Sequence, residues 1–355
     1  MNRPALAFLL AFLFFAAATA QEFTASVDAN ITFNNREGGD ALRPDQTFLF
    51  TRLQPEVGIR IDRSGARHQL SGGVQWYQPI NNDGRGHHVD PIIYYAFNCG
   101  NLTAAIGAIP RTFLPEEPRY LRSDSLNYTD RRIRGFLVHN HGRCGSVSAY
   151  LDWRQMQSER QREAFLATVF GQYRLATRWW AGGWFRLNHL AKRRKAPDGE
   201  GVNDDITINP LIGFSHSAGR HQLDISAGAV INLERARVDE KWRTPAGFTA
   251  AARWLYKWID IEQNIYAGAN LFPLYPRFGS QLNLGDTYYT DHFYSRTDLR
   301  AHIVQTSFVD LNLGISLHAT DRTFGFWQQV SCRFYINLDN IKSRQFDGKK
   351  LRDIY

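Results

Sequence analysis

"EFTASVDANITF", residues 22–33, places apolar and polar side chains at strictly alternating positions. Its odd positions, from Phe23 to Phe33, are apolar, and its even positions, from Glu22 to Thr32, are polar. Because successive side chains of a strand point to opposite sides of the pleat, this stretch predicts a strand with one apolar and one polar face. The apolar face can meet a protein core or lipid, and the polar face can meet bulk solvent or an enclosed lumen.

The residues before this strand have the features of an export signal. "MNRPALAFLLAFLFFAAATA" carries Arg3 in a short basic start, an apolar run from Ala5 to Ala18, and a small-x-small sequence at its end. The run is short for a bilayer span of roughly 20 residues, and small residues of this kind mark signal-peptide cleavage. We predict a signal peptide over residues 1–20, cleaved before Gln21, with an uncleaved membrane anchor as the alternative.

The alternation recurs along the chain. Further alternating runs cover residues 53–62, 146–154, 223–234, 248–258 and 309–319. No stretch shows sustained helical periodicity, so the pattern predicts an all-β chain. The runs are long for a soluble sandwich, whose strands have about 5–6 residues, and they suit tilted membrane-spanning strands of about 9–11 residues.

Short and long connections alternate between these runs. Tight turns are predicted near residues 63–67, 99–101, 142–145, 175–178, 217–220, 258–260 and 305–307. Longer polar segments lie at residues 35–46, 79–90, 111–130, 191–204, 236–246 and 273–292, with shorter ones near 157–162 and 320–323. Outer-membrane barrels combine short periplasmic turns with longer extracellular loops. The rhythm therefore predicts a transmembrane antiparallel up-and-down β-barrel over residues 21–338, with about 16 strands in a range of roughly 14–18. A soluble β-sandwich or β-helix is the alternative.

Composition agrees with an exported barrel. The 355 residues are 14% aromatic, and aromatic girdles at both membrane interfaces are typical of such barrels. The formal charge of +8 includes a basic tail, and the arginines are dispersed along an exported chain, so we expect no nucleic-acid partner. Three cysteines, Cys99, Cys144 and Cys332, do not form a disulfide framework in a chain of this size. Cys99 and Cys144 fall in predicted periplasmic turns about 10 Å apart. The sequence allows either a disulfide between them or two free thiols.

Two stretches near the C-terminus carry a resemblance. "GSQLNLGDTYYTDHFYSRTDLRAHIV", residues 279–304, and "FWQQVSCRFYINL", residues 326–338, are similar to outer-membrane barrels common in Bacteroidota. The whole mature chain resembles the porin-like outer-membrane β-barrels of Gram-negative bacteria. The resemblance implies a place in the cell outer membrane, contact with membrane lipid and lipopolysaccharide, and insertion by the barrel assembly machinery; it leaves homo-oligomerisation open. Many such barrels end on an aromatic residue of the last strand, but here residues 339–355 follow, as a basic periplasmic tail or a final strand segment.

Polar residues on the predicted inward face are candidates for a pore lining, because a barrel of this size encloses an aqueous channel. They mix both signs of charge: Asp28, Glu56, Arg60, Asp152, Arg154, Asp224, Glu234, Arg253, Lys257, Asp260, Glu262, Asp310 and Arg333. Any polar lumen requires such residues, so each is also expected as generic lining. Together they favour passive diffusion of small hydrophilic solutes, with pore width and charge setting the selectivity.

The third long connection is a candidate constriction loop. Pro115 and Pro118 stiffen it. Its acidic residues, the constriction candidates, are Glu116, Glu117 and Asp124. In general porins, as the resemblance implies, the third loop narrows the pore and sets acidic groups against basic residues of the wall. A loop exposed to solvent is the alternative.

Catalytic arrangements have little support in the sequence. His216 and Ser217 are adjacent, so on a strand they face opposite sides and His216 cannot activate Ser217 directly. Asp204 and Asp205 are placed in a loop with no histidine nearby in sequence. We therefore expect no catalytic residue.

His139 and His141 would share one strand face, which suits two imidazole ligands, but no third ligand is evident. We expect neither a metal nor another cofactor.

The predicted function is a porin-like diffusion channel for small hydrophilic solutes, and not an enzyme. The alternatives are a non-conducting barrel that serves as a structural, adhesive or receptor platform and, more distantly, a barrel lipid hydrolase.

Overall fold

The computed structural model describes residues 21–80, 86–239 and 241–343, so the predicted signal peptide and the chain beyond residue 343 lie outside the described residues. Sixteen strands occur in this part of the chain. In chain order they are β1 (Gln21–Glu37), β2 (Gln46–Arg63), β3 (Ala66–Pro79), β4 (His88–Cys99), β5 (Leu102–Pro110), β6 (Arg132–His141), β7 (Gly145–Gln155), β8 (Ala164–Arg174), β9 (Trp179–Leu190), β10 (Asn203–Ala218), β11 (His221–Ala236), β12 (Ala246–Tyr256), β13 (Ile259–Gly268), β14 (Phe293–Gln305), β15 (Val309–Thr320) and β16 (Phe324–Asn337).

The strands form one closed antiparallel barrel. Each strand pairs with its neighbours in the chain, and β1 closes the ring by pairing with β16 from Ser26↔Asn337 to Glu37↔Phe326. Closure satisfies the backbone hydrogen bonds of every strand within the wall, which a lipid surrounding requires. The prediction of an all-β up-and-down barrel of about 16 strands is confirmed.

Connections are short at one end of the barrel and long at the other. The connections of the second end, numbered L1 to L8, cover residues 38–45, 80–87, 111–131, 156–163, 191–202, 237–245, 269–292 and 321–323; all are long except L8. Three short α-helices occur in the described residues: α1 (Asp124–Thr129) in L3, α2 (Tyr275–Phe278) in L7, and α3 (Leu338–Ser343) directly after β16. Single 3₁₀ turns lie at Arg111–Phe113, Arg237–Asp239, Gly279–Gln281 and Thr287–Thr290. No helix in the described ranges is long and apolar enough to cross a membrane.

The opening strand has the two faces that its sequence predicts. Phe23 and Ile31 are exposed on the outside of β1, whereas Asp28, Thr32 and Asn34 are buried on the inside. The apolar face of β1 therefore meets lipid, and its polar face meets the contents of the barrel.

Positive backbone φ angles mark two of the tight turns at the short-turn end. Ser64 and Gly65 connect β2 to β3 with φ of 53° and 77°, the pair of left-handed residues that a hairpin of twisted strands favours. Lys257, with φ of 52°, follows the end of β12 at Tyr256. The alternating pattern had placed Lys257 in the wall, but the turn begins one residue earlier and Lys257 lies in it.

The inside of the barrel holds a packed core, because L3 and L7 fold inward. One apolar cluster joins wall residues to loop residues; it contains Tyr120, Leu121, Phe170, Trp184, Val230, Tyr266, Leu271, Phe272, Tyr288, Tyr289, Tyr294 and Trp327. The loops also bond to each other, since the amide of Ser123 donates to the carbonyl of Leu284 at 2.8 Å and the amide of Asp286 donates to that of Arg119 at 2.8 Å. L3 and L7 therefore form one unit within the lumen.

A substitution of Ile93, in the middle of β4, tests which face of the wall meets lipid. It is 68% exposed on the outer face, so Ile93→Arg should destabilise the barrel by about 2–4 kcal/mol in bilayers. Urea unfolding in lipid vesicles measures this difference. Cys99→Arg, at the short-turn end of the same strand, is the control and should cost about 0–1 kcal/mol. Equal costs at the two positions would contradict the assignment.

Candidate functional site

The centre of the lumen is an ion-pair network anchored on L3. Arg119 of L3 reaches two wall strands, with its guanidinium 2.6 Å from the carboxylate of Glu262 on β13 and 3.3 Å from that of Asp298 on β14. It also lies 3.3 Å from Asp124 of its own loop, which pairs in turn with Arg296. These charges are buried and paired, as ionised groups in a low-dielectric interior must be.

Glu117 holds the other side of L3. Its carboxylate lies 2.8 Å from the guanidinium of Arg186 on β9 and 3.8 Å from that of Arg111, and it accepts a hydrogen bond from the hydroxyl of Tyr150. Glu116, the neighbouring constriction candidate, is exposed. Glu117 and Asp124 thus form ion pairs with the wall arginines Arg186 and Arg296.

L7 is held by Glu234 of β11. The carboxylate of Glu234 accepts hydrogen bonds from the amide of Leu274 at 2.7 Å and from the side chain of Asn283 at 2.7 Å. On β7, Arg154 donates to the carbonyl of Gln281 at 2.6 Å. Two of the pore-lining candidates therefore bind the inward loop.

Asp28 lies between two arginines. Arg333 donates to both of its carboxylate oxygens at 3.0 and 2.9 Å, and Arg52 approaches to 3.2 Å. The remaining candidates of the inward face are paired with neighbours: Glu56 with Arg132, Arg60 with Glu22 and Asp339, Asp152 with Arg111, Arg253 with Asp260, and Asp310 with His302. Asp224 is exposed on β11, opposite Arg253. The inward face thus consists largely of matched charges.

Two cavities lie on opposite sides of L3. The one towards the short-turn end has a volume of about 390 Å³ and is bordered by residues 110–113 and 131–132 of the L3 region. The one towards the long-loop end has about 400 Å³ and is bordered by residues 123–126. L3 therefore partitions the lumen between the cavities.

A row of polar and aromatic side chains crosses the outer surface beside L5. Strand register sets Trp153 of β7 opposite Phe165 of β8, Phe165 opposite His189 of β9, His189 opposite Asp204 of β10, and Asp204 opposite Arg235 of β11. In each strand the alternate residues are buried inside, as Arg186 and Asn188 are in β9, so this row faces outward. We call these five residues the outer row.

His189 and Asp204 form the polar centre of the outer row. The Nδ1 atom of His189 lies 2.9 Å from Oδ1 of Asp204. Arg237 donates to both oxygens of the same carboxylate, from Nε at 2.9 Å and from Nη2 at 3.2 Å. The Phe165 ring packs on the imidazole with centroids 4.9 Å apart. A carboxylate in this position directs the Nδ1 proton towards itself and leaves Nε2 as the basic nitrogen.

The sequence pattern missed the outer row because it placed Asp204 in a loop. β10 begins at Asn203, and the hairpin around L5 brings His189 and Asp204 together although they are 15 residues apart in sequence. The signal that could have identified them is their position directly before and directly after the basic loop. By contrast, His216 and Ser217 lie in the final residues of β10, at the opposite end of the barrel.

Cys99, Cys144 and Cys332 are free thiols.

Comparison with known proteins identifies the family. A family model described as "Lipid A 3'-O-deacylase-type" matches residues 15–338. The chain belongs to this family. None of the curated proteins matches the chain.

Solved structures share the fold at low sequence identity. The outer membrane protein OpdK from Pseudomonas aeruginosa is 9% identical and superposes with a TM-score of 0.55, over 89% of this chain and 99% of that chain. OccK2 (OpdF) from the same organism, in complex with glucuronate, is 10% identical with a TM-score of 0.54, over 89% and 98%. OccK9 (OpdG), also from P. aeruginosa, is 10% identical with a TM-score of 0.56, over 89% and 99%. The barrel is porin-like, and fold and family together place it in the outer membrane.

The prediction that the chain is not an enzyme is wrong, because the family whose model spans the barrel is an enzyme family. That prediction rested on pairs of residues close in sequence. Contacts between strands, such as the one from His189 to Asp204, are set by hairpin register, which pairs of residues close in sequence do not give.

The docking of L3 should depend on pH through Glu117. Burial alone would raise the pKa of its carboxyl, but Arg186, Arg111 and Arg122 outweigh burial and lower the pKa from 4.5 to about 2. A lowered folded-state pKa means that this contribution to stability is full above pH 4.5 and is lost as the pH falls towards 2. Pepsin, which is active in this window, should therefore cleave L3 faster at pH 2.5 than at pH 4.5.

Glu117→Gln should make this cleavage less dependent on pH, because the variant has no carboxyl to protonate. Glu116→Gln is the matched control, since Glu116 is exposed, and it should behave as the wild type. An unchanged pH profile in Glu117→Gln would contradict the assignment.

Proposed function

We propose that this member of the lipid A 3'-O-deacylase-type family hydrolyses an ester-linked acyl chain of lipid A at the outer row. The observation that carries the proposal is the hydrogen-bonded pair of His189 and Asp204 on the outer surface. An O-deacylase cleaves an ester, and a histidine oriented by a carboxylate is a general base suited to that reaction.

The position of the outer row suits a lipid substrate. His189 is the second-last residue of β9, so it lies where the wall meets the long-loop end. Trp153 and Phe165 stand beside it, and aromatic side chains favour the interface between acyl chains and headgroups. The outer leaflet of the outer membrane, which carries lipid A, is at this height.

Positive charge beside the pair suits an anionic headgroup. Arg237 is half exposed while it bonds to Asp204. Arg235 lies 3.7 Å from the same carboxylate and stacks at 4.5 Å over the ring of Trp242. Guanidinium groups bind phosphate through paired hydrogen bonds, so these two arginines orient the phosphorylated sugar of lipid A against His189.

The reaction needs only water and the ester. Nε2 of His189 accepts a proton from a water molecule, and the resulting hydroxide adds to the ester carbonyl carbon. The tetrahedral intermediate breaks its bond to the sugar oxygen, which takes the proton back from the imidazolium. The products are a fatty acid and a sugar hydroxyl. Asp204 stabilises the imidazolium that forms between the two proton transfers.

His189→Gln tests the reaction. Loss of the general base should lower hydrolysis by about 10²-fold or more, and Asp204→Asn should lower it by about 10²-fold because the imidazole is no longer held in the required tautomer. Release of fatty acid from vesicles that contain lipid A, with mass spectrometry of the remaining lipid, measures the rate. His221→Gln is the matched control, a histidine of the short-turn end, and it should keep wild-type activity. No release by the wild-type protein, or full activity in His189→Gln, would refute the assignment.

Passage of small hydrophilic solutes is a second candidate function, favoured by the cavities on either side of L3. In this function L3 is the constriction and the charged residues of the inward face set selectivity. The fold likeness to P. aeruginosa channels is consistent with it.

Arg119→Gln tests passage of solutes, because Arg119 ties L3 to β13 and β14. Loosening L3 should raise the single-channel conductance in planar bilayers by about twofold or more. Lys195→Gln in L5 is the control, since Lys195 is exposed at the rim, and its conductance should equal that of the wild type. Absence of conductance in the wild type and in Arg119→Gln would exclude this second function.

A further inference from the structure

Basic residues are concentrated at the short-turn end, along four turns that follow one another around the barrel. These turns connect β6 to β7, β8 to β9, β10 to β11 and β12 to β13. Neighbouring turns of an up-and-down barrel are two strand spacings apart, about 10 Å, so the four turns cover roughly 30 Å of the rim. On them or at their borders lie five basic residues, which we call the basic arc: Arg143, Arg174, Arg178, Arg220 and Lys257.

The charges of the basic arc are exposed and have no acidic partners. All five side chains are exposed, and the turn residues between these strands include no aspartate or glutamate. In the described part of the chain, no ion pair joins a member of the basic arc to a carboxylate. Asp224 and Asp260, the acidic residues near this end of the same strands, belong to the inward face and lie beside Arg253.

Aromatic side chains set the height of the basic arc relative to the membrane. Tyr173 and Trp179 are exposed at the two ends of the turn between β8 and β9. They face outward, because the alternate residues of both strands are buried inside. Tyrosine and tryptophan favour the interface between acyl chains and headgroups. Arg174 and Arg178, their neighbours in sequence, therefore lie at the level of the headgroups.

The turn between β12 and β13 has the same arrangement. Tyr256 is the last residue of β12, and Nζ of Lys257 lies 5.1 Å from the centroid of its ring. The ring also stacks on the imidazole of His221, with centroids 4.3 Å apart. At two separate turns, a basic group thus lies directly beside an interfacial aromatic ring.

Charge and height together indicate what the basic arc contacts. Guanidinium groups bind phosphate through paired hydrogen bonds, and basic clusters next to a membrane attract anionic lipids. The short turns of outer-membrane barrels face the periplasm, so the leaflet at this end is the inner one. A dissolved acidic partner would not require aromatic side chains at the same height, so the arrangement favours a lipid.

We propose that the basic arc binds the phosphate groups of anionic phospholipids in the inner leaflet of the outer membrane. The four turns belong to eight of the sixteen strands, so such lipids are held against half of the barrel wall. This surface is separate from the outer row, because the two lie at opposite ends of the wall. Binding here depends neither on ester hydrolysis nor on passage of solutes.

Lipid binding to the full-length protein in vesicles tests the proposal. Brominated phosphatidylglycerol is the anionic probe and brominated phosphatidylcholine the neutral one, since each quenches tryptophan fluorescence on contact and Trp179 is exposed beside the basic arc. Phosphatidylglycerol should bind at least about fivefold more tightly, which is the effect of one basic residue close to an anionic surface. The preference should disappear at about 1 M salt, where the Debye length is only about 3 Å.

Paired substitutions locate the preference. Arg174→Gln with Arg178→Gln should reduce it by about fivefold or more, whereas Arg174→Lys with Arg178→Lys keeps both charges and should keep the preference. Lys192→Gln with Arg194→Gln removes two exposed charges from L5 at the long-loop end. This pair is the matched control and should resemble the wild type.

Heat-modifiable migration on gels shows whether each variant is folded. If Arg174→Gln with Arg178→Gln does not fold, Arg143→Gln with Arg220→Gln removes two charges from the neighbouring turns and decides the matter.

Equal binding of the two lipids by the wild-type protein would overturn the proposal. So would an equal loss of preference in the L5 control, because net charge alone would then explain it. Inorganic phosphate that displaces phosphatidylglycerol at the same phosphate concentration would reassign the basic arc to free phosphate. Binding of poly-glutamate as tightly as phosphatidylglycerol would overturn the lipid assignment in favour of a dissolved acidic partner.

Discussion

Hydrogen bonding between β1 and β16 is the interaction on which the rest of the structure depends. Lipid offers no partner for a backbone amide or carbonyl, so a membrane-spanning sheet must have no open edge. Once β1 and β16 pair, every strand has two neighbours and the side chains sort into two sets. One set meets lipid, and the other is enclosed.

Closure also explains why the inside is so highly charged and so well paired. A ring of this size is wide, and L3 and L7 fill its centre. Loops that enter an enclosed space bring polar backbone and side chains with them, and these need partners there. Glu262, Arg186 and Glu234 of the wall supply those partners, so they hold the loops as well as lining the lumen.

Much of the wall could be predicted from the sequence, because strand alternation and turn spacing are local properties. The sequence predicted the strand at residues 22–33, the long connections and the inward position of Asp28. What the side chains bind could not be predicted in the same way. The pairing of Asp28 with Arg333 joins the first strand to the last, and that of Arg119 with Glu262 depends on how L3 folds.

The partners of the outer-row side chains could not be predicted from the local sequence pattern either, although these residues are closer together in sequence. His189 and Asp204 meet because β9 and β10 pair in one particular register, and moving the start of β10 by a single residue would turn Asp204 to the other face. The alternating pattern gives the face of a residue only after the end of the loop is known. Lys257 was misplaced for the same reason, since the turn begins at that residue.

The outer row lies on the outside of the wall, and this decides how a substrate would reach it. A lipid substrate arrives by lateral diffusion within the leaflet and never has to leave the membrane. The rate at which it meets the outer row then depends on the surface density of the lipid and the fluidity of the leaflet. It does not depend on a concentration of lipid in water. If the proposed function holds, packing of neighbouring lipids against Trp153 and Phe165 would govern turnover, and the physical state of the membrane would regulate the reaction.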